Sequence, residues 1–215
     1  MNVKKITQII LGIAALILAY FLFESIMKPQ RFETLRVRKE TEVVNRLKDI
    51  RTAQLAYRNL NGRFAPTFDT LIMFLEDGRM PTVRSTGRDE LPDSLMALSD
   101  TELLRRRLIR RDTVFSDAYS ELFPEQRDKA AHLAALRYIP FTGRTIEFSM
   151  ETGFVVKSEV NIPVIEVSAH MLDYLGEPEY RQLVINAIKR SEDINRYPGR
   201  RFGSMFDPQT EGNWE

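Results

Sequence analysis

The sequence predicts an α+β protein in which an N-terminal transmembrane helix continues as a long amphipathic helix packed on a small antiparallel sheet. Three observations lead to this class. An uncharged apolar block runs from Ile9 to Phe23. Apolar residues then recur at spacings of three and four from Val43 to Leu60, which is typical of an amphipathic helix. Short segments rich in β-branched and aromatic residues follow between residues 136 and 168, and these indicate strands.

A transmembrane helix is predicted over residues 6–27, after a short tail of residues 1–5. At about 1.5 Å per residue it is roughly 33 Å long, enough for a hydrocarbon core of about 30 Å. A cleaved signal peptide is the alternative, but the bulky residues of 21–26 offer no small-residue cleavage site, so an uncleaved anchor is favoured. Four residues mark the predicted span: Ile6, Ile9, Leu16 and Phe23.

Beyond the span, a helical stalk is predicted over residues 28–42 and a soluble α+β domain over residues 43–215. Pro29 predicts a kink, because proline removes a helical hydrogen bond. The stalk is mostly charged, and Gly62 is expected to end the long helix.

The segment after Gly62 carries clear start and stop signals. Thr67 is expected to cap a short helix that Gly78 ends. Residues 79–98 read as a loop, and a capping-box spacing at Ser99 predicts a further short helix. Residues 113–123 are compatible with a strand or a short helix.

An antiparallel meander is predicted next, with turns at Gly143 and Thr152-Gly153. Its strands are expected at residues 136–141, 145–150, 154–156 and 160–168. Pro163 suggests an edge or bulged position. A helix is then expected from Pro178 to Pro198-Gly199, followed by a short strand over residues 201–206.

Composition argues against catalysis. The chain of 215 residues has no cysteine and two histidines. Motifs for a serine nucleophile, phosphate loop, dinucleotide site or zinc peptidase are absent. We therefore expect no catalytic residue, no cofactor, no metal and no enzymatic activity. His132 reads as a surface helical residue and His170 as a residue that caps or lines a turn.

Two clusters are candidates for binding. The first is an arginine-rich stretch with no acid among its members, suited to an anionic ligand or lipid, or else a solvated face with acidic neighbours. It comprises Arg105, Arg106, Arg107, Arg110 and Arg111. Without interleaved aromatic residues it makes nucleic acid an unexpected partner. The second is the tail, where Phe206 and Trp214 either contact a partner or fold back over the sheet edge.

The end of the long helix resembles the type IV pilin and type II secretion pseudopilin superfamily. A regular helix runs into Tyr57, then the turn Asn61-Gly62, then Phe64-Ala65-Pro66, and a short helix from Phe68. The Gly-Phe start at which that superfamily is processed is absent here. The resemblance is therefore to a divergent subunit that stays anchored, and an uncharacterised bacterial membrane-anchored family is the other comparison.

The resemblance implies a pilin-like fold and a place in the bacterial inner membrane with the domain in the periplasm. Counting lysine and arginine beside the span favours the cytoplasm instead, and the pilin geometry is given more weight. The expected function is that of a structural or assembly subunit of an envelope complex. Its expected partners are the lipid bilayer, other membrane or envelope proteins, and further copies of itself. The alternative function is a tethered binding protein that uses the arginine-rich stretch.

Overall fold

The computed structural model describes residues 3–86, 95 and 98–215 of the chain. The helices described are α1 (Val3–Asn61), α2 (Phe68–Asp77), α3 (Asp100–Arg105), α4 (Ala118–Leu122), α5 (Lys129–Leu136), α6 (Met171–Tyr174) and α7 (Arg181–Asp193), with a 3-10 turn at Pro178–Tyr180. The strands are β1 (Arg79–Thr86), β2 (Arg110–Asp117), β3 (Ser149–Lys157), β4 (Val160–His170) and β5 (Gly199–Ser204). A long N-terminal helix with small antiparallel sheets confirms the predicted α+β class.

Helix α1 runs without interruption for 59 residues and includes Pro29. It ends at Asn61 because Gly62 adopts a φ of 71°, which glycine tolerates and other residues disfavour. A kink at Pro29 stays a prediction. Burial along the helix begins early, and its buried residues recur at helical spacing: Phe32, Lys39, Glu40, Val43, Leu47 and Ile50.

The chain divides into two compact units. The first comprises Met1–Asp49, Tyr138–Glu151 and Val164–Glu215, and the second comprises Ile50–Arg137 and Thr152–Pro163. A stalk is predicted over residues 28–42, yet Phe32 and two charged residues in that segment, Lys39 and Glu40, are buried within the first unit. Packing therefore begins earlier than the predicted boundary, because the charged residues there have partners.

The first unit is organised around the pairing of β4 with β5. They pair antiparallel from Ile165↔Ser204 to His170↔Gly199. The strand order of the sheet is β3-β4-β5. Apolar side chains of this unit are buried from the helix, the strands and the segments after them: Val43, Leu47, Ile165, Val167, Met171, Tyr174, Val184 and Phe202.

The second unit contains its own core and a two-stranded antiparallel sheet. Strands β1 and β2 pair from Arg79↔Asp117 to Thr86↔Arg110. As predicted, Thr67 caps α2 by accepting a hydrogen bond from the Thr70 backbone N–H, and Gly78 ends it. The buried apolar side chains include Ile50, Ala53, Phe68, Leu71, Leu75, Leu103, Tyr119, Leu133 and Leu136.

The prediction of a loop over residues 79–98 is wrong for its first part. Residues 79–86 form β1, and residues 87–94, 96 and 97 lie outside the described residues. The strand contains Pro81 and several polar residues, which locally favour a loop. Pairing with β2, more than twenty positions later in the chain, determines the outcome instead.

The predicted meander also differs. The segment expected as a strand over residues 136–141 forms the end of α5 and an isolated bridge from Tyr138 to Glu147. Gly153 lies inside β3 and does not turn the chain. The turn falls at Ser158-Glu159, whose φ values of 51° and 65° suit a two-residue hairpin. Pro163 precedes the part of β4 that pairs with β5, so its missing N–H leaves that pairing intact.

Candidate functional site

Two adjacent charged side chains of α1, Lys39 and Glu40, are buried in the first unit. The Lys39 ammonium donates a hydrogen bond of 2.8 Å to the backbone carbonyl of Tyr174 and pairs with Glu177. It also lies 5.3 Å from the centre of the Phe141 ring. These contacts compensate for the hydration that the ammonium group loses on burial. They explain how a charged residue occupies a core position.

Glu40 pairs with two arginines. Its Oε1 accepts a hydrogen bond of 2.9 Å from Arg36 Nε, and its Oε2 accepts one from Arg200 Nη2. The carboxylate is 7% exposed, so both of its oxygens depend on these partners. Burial by itself would lower the pKa of Arg36, but the hydrogen bond and charge of Glu40 raise that pKa overall.

Tyr174 lies close to the same charges. Burial raises the pKa of its hydroxyl, and the negative charge of Glu40 raises that pKa further. The hydroxyl is buried, and no hydrogen-bond partner for it is found among the described residues. A neutral phenol is therefore fixed next to a buried ion pair.

An open cleft of about 510 Å³ lies in the first unit beside these groups. Because four arginines line it, we call it the arginine cleft. Its lining residues are Arg36, Met171, Ser191, Asn195, Arg196, Tyr197, Gly199, Arg200, Arg201, Asn213 and Glu215.

Strand β5 supplies two of the arginines, and its two edges fix them. One edge pairs with β4, where Arg200 faces Ala169 and Arg201 faces Ser168. On the other side the tail returns, and the Arg201 backbone N–H donates to Asn213 Oδ1 at 3.2 Å. Asn213 also donates to the Gly199 carbonyl at 2.9 Å. The strand is thus held from both sides.

Close approach of the backbone explains Gly199, where β5 begins. A Cβ atom at this position would lie 2.1 Å from the carbonyl oxygen of Ala169. Any larger residue would push β5 away from β4 and displace the neighbouring arginines.

Arg196 reaches the cleft from the turn after α7. Asn195 adopts a φ of 53°, a left-handed conformation that asparagine tolerates, and the Arg196 backbone N–H closes the turn on the Ser191 carbonyl at 2.8 Å. The Arg196 side chain is exposed, and within the described part of the chain its guanidinium has no ion pair.

Arg201 is held more loosely than Arg200. Its Nη1 lies 3.4 Å from both Glu166 oxygens, a long distance for a hydrogen bond. Its guanidinium carbon lies 5.2 Å from the centre of the Tyr197 ring, within cation–π range. Tyr197 in turn contacts His170 edge to face, with ring centres 6.3 Å apart.

The arginine-rich stretch predicted from sequence is not one helical face. Arg105 ends α3, Arg106 pairs with Glu102 at 3.0 Å, and Arg107 sits in a turn with a φ of 58°. All three are exposed. Arg110 and Arg111 belong to β2, and their side chains lie outside what the structure describes. A ligand role for this stretch stays a prediction.

The tail folds back onto β5. Gly212 bridges to Phe202, and the Trp214 ring packs so closely on Gly212 that a Cβ there would lie 2.3 Å from it. Phe206, by contrast, is 85% exposed. Of the two predicted tail residues, Trp214 therefore serves the return of the tail, and Phe206 is free to contact something outside the chain.

The predicted span lies at the start of α1. Leu16 is 73% exposed and Phe23 is 57% exposed, whereas the side chains of Ile6 and Ile9 are outside the described set. No part of the most apolar window of this helix is buried, and the helix is long and apolar enough to cross a membrane.

Both histidines make contacts within the chain. His132 contacts the Tyr119 hydroxyl through Nδ1 at 3.0 Å, and His170 caps α6 in a capping box with Asp173. Among the residues that the structure describes, no group of three or more histidine, aspartate or glutamate residues could hold a metal. The arrangement that stands out is a cluster of guanidinium groups, whose chemistry is the binding of anions.

The arginine cleft is absent from the sites predicted from the sequence. Arg36 belongs to the predicted stalk and Arg200 and Arg201 precede the predicted tail contacts, whereas Arg196 belongs to no predicted site. The adjacent pair at residues 200–201 was the local signal; its partners lie far away in the sequence. Comparisons of the chain with protein-family models, with curated proteins and with solved structures return no match.

Proposed function

We propose that this chain is a single-pass protein of the bacterial inner membrane, with its domain in the periplasm, that serves as a structural or assembly subunit of an envelope complex. The observation that carries the proposal is the first part of α1, where apolar side chains stand exposed on every side. These include Ile10, Leu11, Ile13, Leu16, Ile17, Leu18, Tyr20, Phe21, Leu22, Phe23 and Ile26.

An apolar surface of this extent is normally shielded from water by lipid or by another protein. Soluble monomers expose single apolar side chains widely, but they rarely expose a contiguous patch larger than a few hundred Å². A helix that is apolar all round is buried either in a large core or in a bilayer. A bilayer covers all sides of a lone helix, so it fits better than a partner that would cover one face.

Continuity of α1 favours an anchor over a cleaved signal peptide. The same helix that carries the exposed apolar residues goes on to bury Phe32, Lys39 and Glu40 in the first unit. Cleavage after the apolar block would cut within this helix. A retained helix instead attaches the folded part directly to the membrane.

Contacts with other proteins are the proposed mode of action. Gly12, Ala14, Ala15 and Ala19 are small residues within the apolar block, and small residues allow close approach of another transmembrane helix. Exposed Phe206 offers a second contact outside the membrane. A long helix followed by an antiparallel sheet is also compatible with a pilin-like subunit.

Anchoring can be tested by alkaline extraction of membranes. We expect the full chain to remain in the membrane pellet, and a variant lacking residues 1–27 to move to the soluble fraction. The intact mass of the extracted protein should be 25.0 kDa. A smaller mass consistent with loss of the apolar block would contradict an uncleaved anchor, and release of the full chain by alkali would contradict anchoring altogether.

Orientation can be tested by labelling, because the chain contains no cysteine and any introduced thiol is unique. Gln126 is exposed in the second unit, and Asn2 precedes the apolar block. In spheroplasts, a membrane-impermeant maleimide should label Gln126→Cys at once and Asn2→Cys only after lysis. The opposite pattern would place the domain in the cytoplasm.

A further inference from the structure

The arginine cleft carries four positive charges from three separate segments of the first unit: α1, the turn after α7, and β5. One carboxylate side chain, that of Glu215, shares the lining. The acidic partners of these arginines, Glu33, Glu40 and Glu166, are not lining residues. The wall that faces the opening is therefore mainly cationic, although the chain as a whole is nearly neutral.

Most of the hydrogen-bond donors in this wall are uncommitted. A guanidinium has five N–H donors. Among the described residues, Arg36 directs Nε to Glu40 and has Nη1 3.6 Å from Glu33. Arg200 directs Nη2 to Glu40, and Arg201 makes the long contact to Glu166. Arg196 makes no ion pair with the described residues. Several donors from different guanidinium groups thus remain for a ligand in one cleft.

We propose that the arginine cleft is a binding site for a phosphate group. Like charges that converge on one opening repel each other, and a bound anion relieves that repulsion. Arginine forms paired hydrogen bonds with carboxylate and phosphate alike. Four guanidinium groups match the several oxygens and higher charge of a phosphate or diphosphate better than they match the two oxygens of one carboxylate.

Neutral polar groups in the lining suit the same ligand. Asn195 carries an amide group and Tyr197 a hydroxyl in the lining, whereas the Asn213 amide is already bonded to β5. The Tyr197 ring is half-buried between His170 and Arg201, which fixes its position. At about 510 Å³ the cleft has room for a group larger than one phosphate, such as a phosphorylated small molecule.

The phosphate has two candidate sources, a lipid headgroup and a soluble molecule. Arg36 follows Met27, the last residue of the predicted span, by nine positions on the same helix. This is about 14 Å along the helix axis, whereas the headgroup layer is roughly 5–8 Å deep. The cleft would then open just beyond the headgroups, within reach of a lipid with an extended headgroup and equally open to a soluble phosphate.

The first arm of the test uses inorganic diphosphate and the full chain in nanodiscs of phosphatidylcholine. Binding is measured by calorimetry and by the fluorescence of Trp214, which is the only tryptophan and neighbours Asn213 and Glu215. We expect saturable binding that weakens with salt. The double variant R196Q/R201Q should weaken it about tenfold or more, because it removes two charges while sparing the buried Glu40 pairs.

A matched control removes charge elsewhere. The variant R105Q/R106Q/R107Q lacks three exposed positive charges of the second unit, and it should change the diphosphate affinity less than about twofold. Glu215→Gln should strengthen binding severalfold, because it removes the carboxylate from the lining. Absence of saturable binding, or equal losses in the two arginine variants, would overturn the proposal.

The second arm identifies the source. Full-length protein is extracted in mild detergent from nanodiscs that contain phosphatidylglycerol, and the lipids retained are counted by native mass spectrometry. Retention that R196Q/R201Q abolishes would assign the site to a lipid phosphate. Diphosphate binding without retained lipid would assign it to a soluble molecule. The diphosphate arm does not depend on membrane anchoring, so it can succeed even if alkaline extraction contradicts the proposed function.

Discussion

Two sections of the same helix α1 reverse the usual relation between polarity and burial. Between Ile10 and Met27 all side chains except Glu24 and Ser25 are apolar, yet they are largely exposed. About ten positions later the charged residues Lys39 and Glu40 are buried. The difference lies in where partners are found: the charged section finds them within the chain, whereas the apolar section needs a cover from outside it.

The largest effect is expected where a buried charge loses its partner. Glu40→Ala should lower the free energy of unfolding by about 3 kcal/mol, because Arg36 and Arg200, each about a quarter exposed, would lose the buried carboxylate that they share. Urea unfolding of the detergent-solubilised protein measures this value. Glu33→Ala is the matched control: exposed Glu33 lies 3.6 Å from Arg36, and its loss should cost under about 0.5 kcal/mol. Equal losses would mean that the buried pairing contributes nothing special.

A charge introduced into the apolar section tests whether lipid surrounds that section of α1. Leu16→Arg should disfavour membrane insertion by about 2.5–3.5 kcal/mol and shift part of the protein into the alkali-soluble fraction. Val37→Arg is the comparison, since Val37 is also exposed on α1 but lies beyond the apolar block. It should leave the membrane fraction unchanged. If both variants behave alike, the exposed apolar surface is not covered by lipid.

Alkaline pH probes the buried network through Tyr174. Burial raises the pKa of this phenol in the folded state above its unfolded value near 10, so the folded state keeps a proton that the unfolded state releases. Stability is then complete below that unfolded pKa and falls as pH rises above it. Relative to Tyr174→Phe, the wild type should lose about 1.4 kcal/mol per pH unit above pH 10. Parallel curves for the two proteins, from urea unfolding between pH 8 and 11, would contradict this assignment.

The smallest effect is expected at an exposed cap. Asp117 accepts hydrogen bonds from the Ser120 backbone N–H and hydroxyl, and these, with Lys129, lower the pKa of its carboxyl. Asp117→Ala should cost about 1 kcal/mol at pH 7 through loss of the α4 cap. The cap stabilises above the unfolded pKa near 4 and is lost as pH falls through the lower folded value. The deficit of the variant should therefore shrink in acid, while exposed Glu125→Ala stays near zero throughout.

Local signals in the sequence predicted the fold correctly where a single residue determines where a helix begins or ends. Thr67, Gly62 and Gly78 were assigned their roles from sequence, and the structure confirms them. A glycine that ends a helix or a threonine that caps one acts on its own few neighbours, so its effect can be predicted from the local sequence.

Pairing between segments that are distant in the sequence could not be predicted from local signals. The residues of β1 locally favour a loop, and only pairing with β2 makes them a strand. The arginine cleft could not be predicted from the sequence for the same reason, since Arg36 and Arg196 are separated by most of the chain. Buried Lys39 and Glu40 also looked like stalk residues, because sequence alone does not reveal the groups that neutralise them.

Because α1 is continuous, it sets a rotational phase between the apolar block and the face that carries Lys39 and Glu40. Each residue of an α-helix turns the next by about 100° and advances it by about 1.5 Å. One residue added between Met27 and Phe32 would therefore point the two faces in different directions, whereas seven added residues would nearly restore their alignment. A partner that grips the helix inside the bilayer would thus also fix the direction in which the arginine cleft opens.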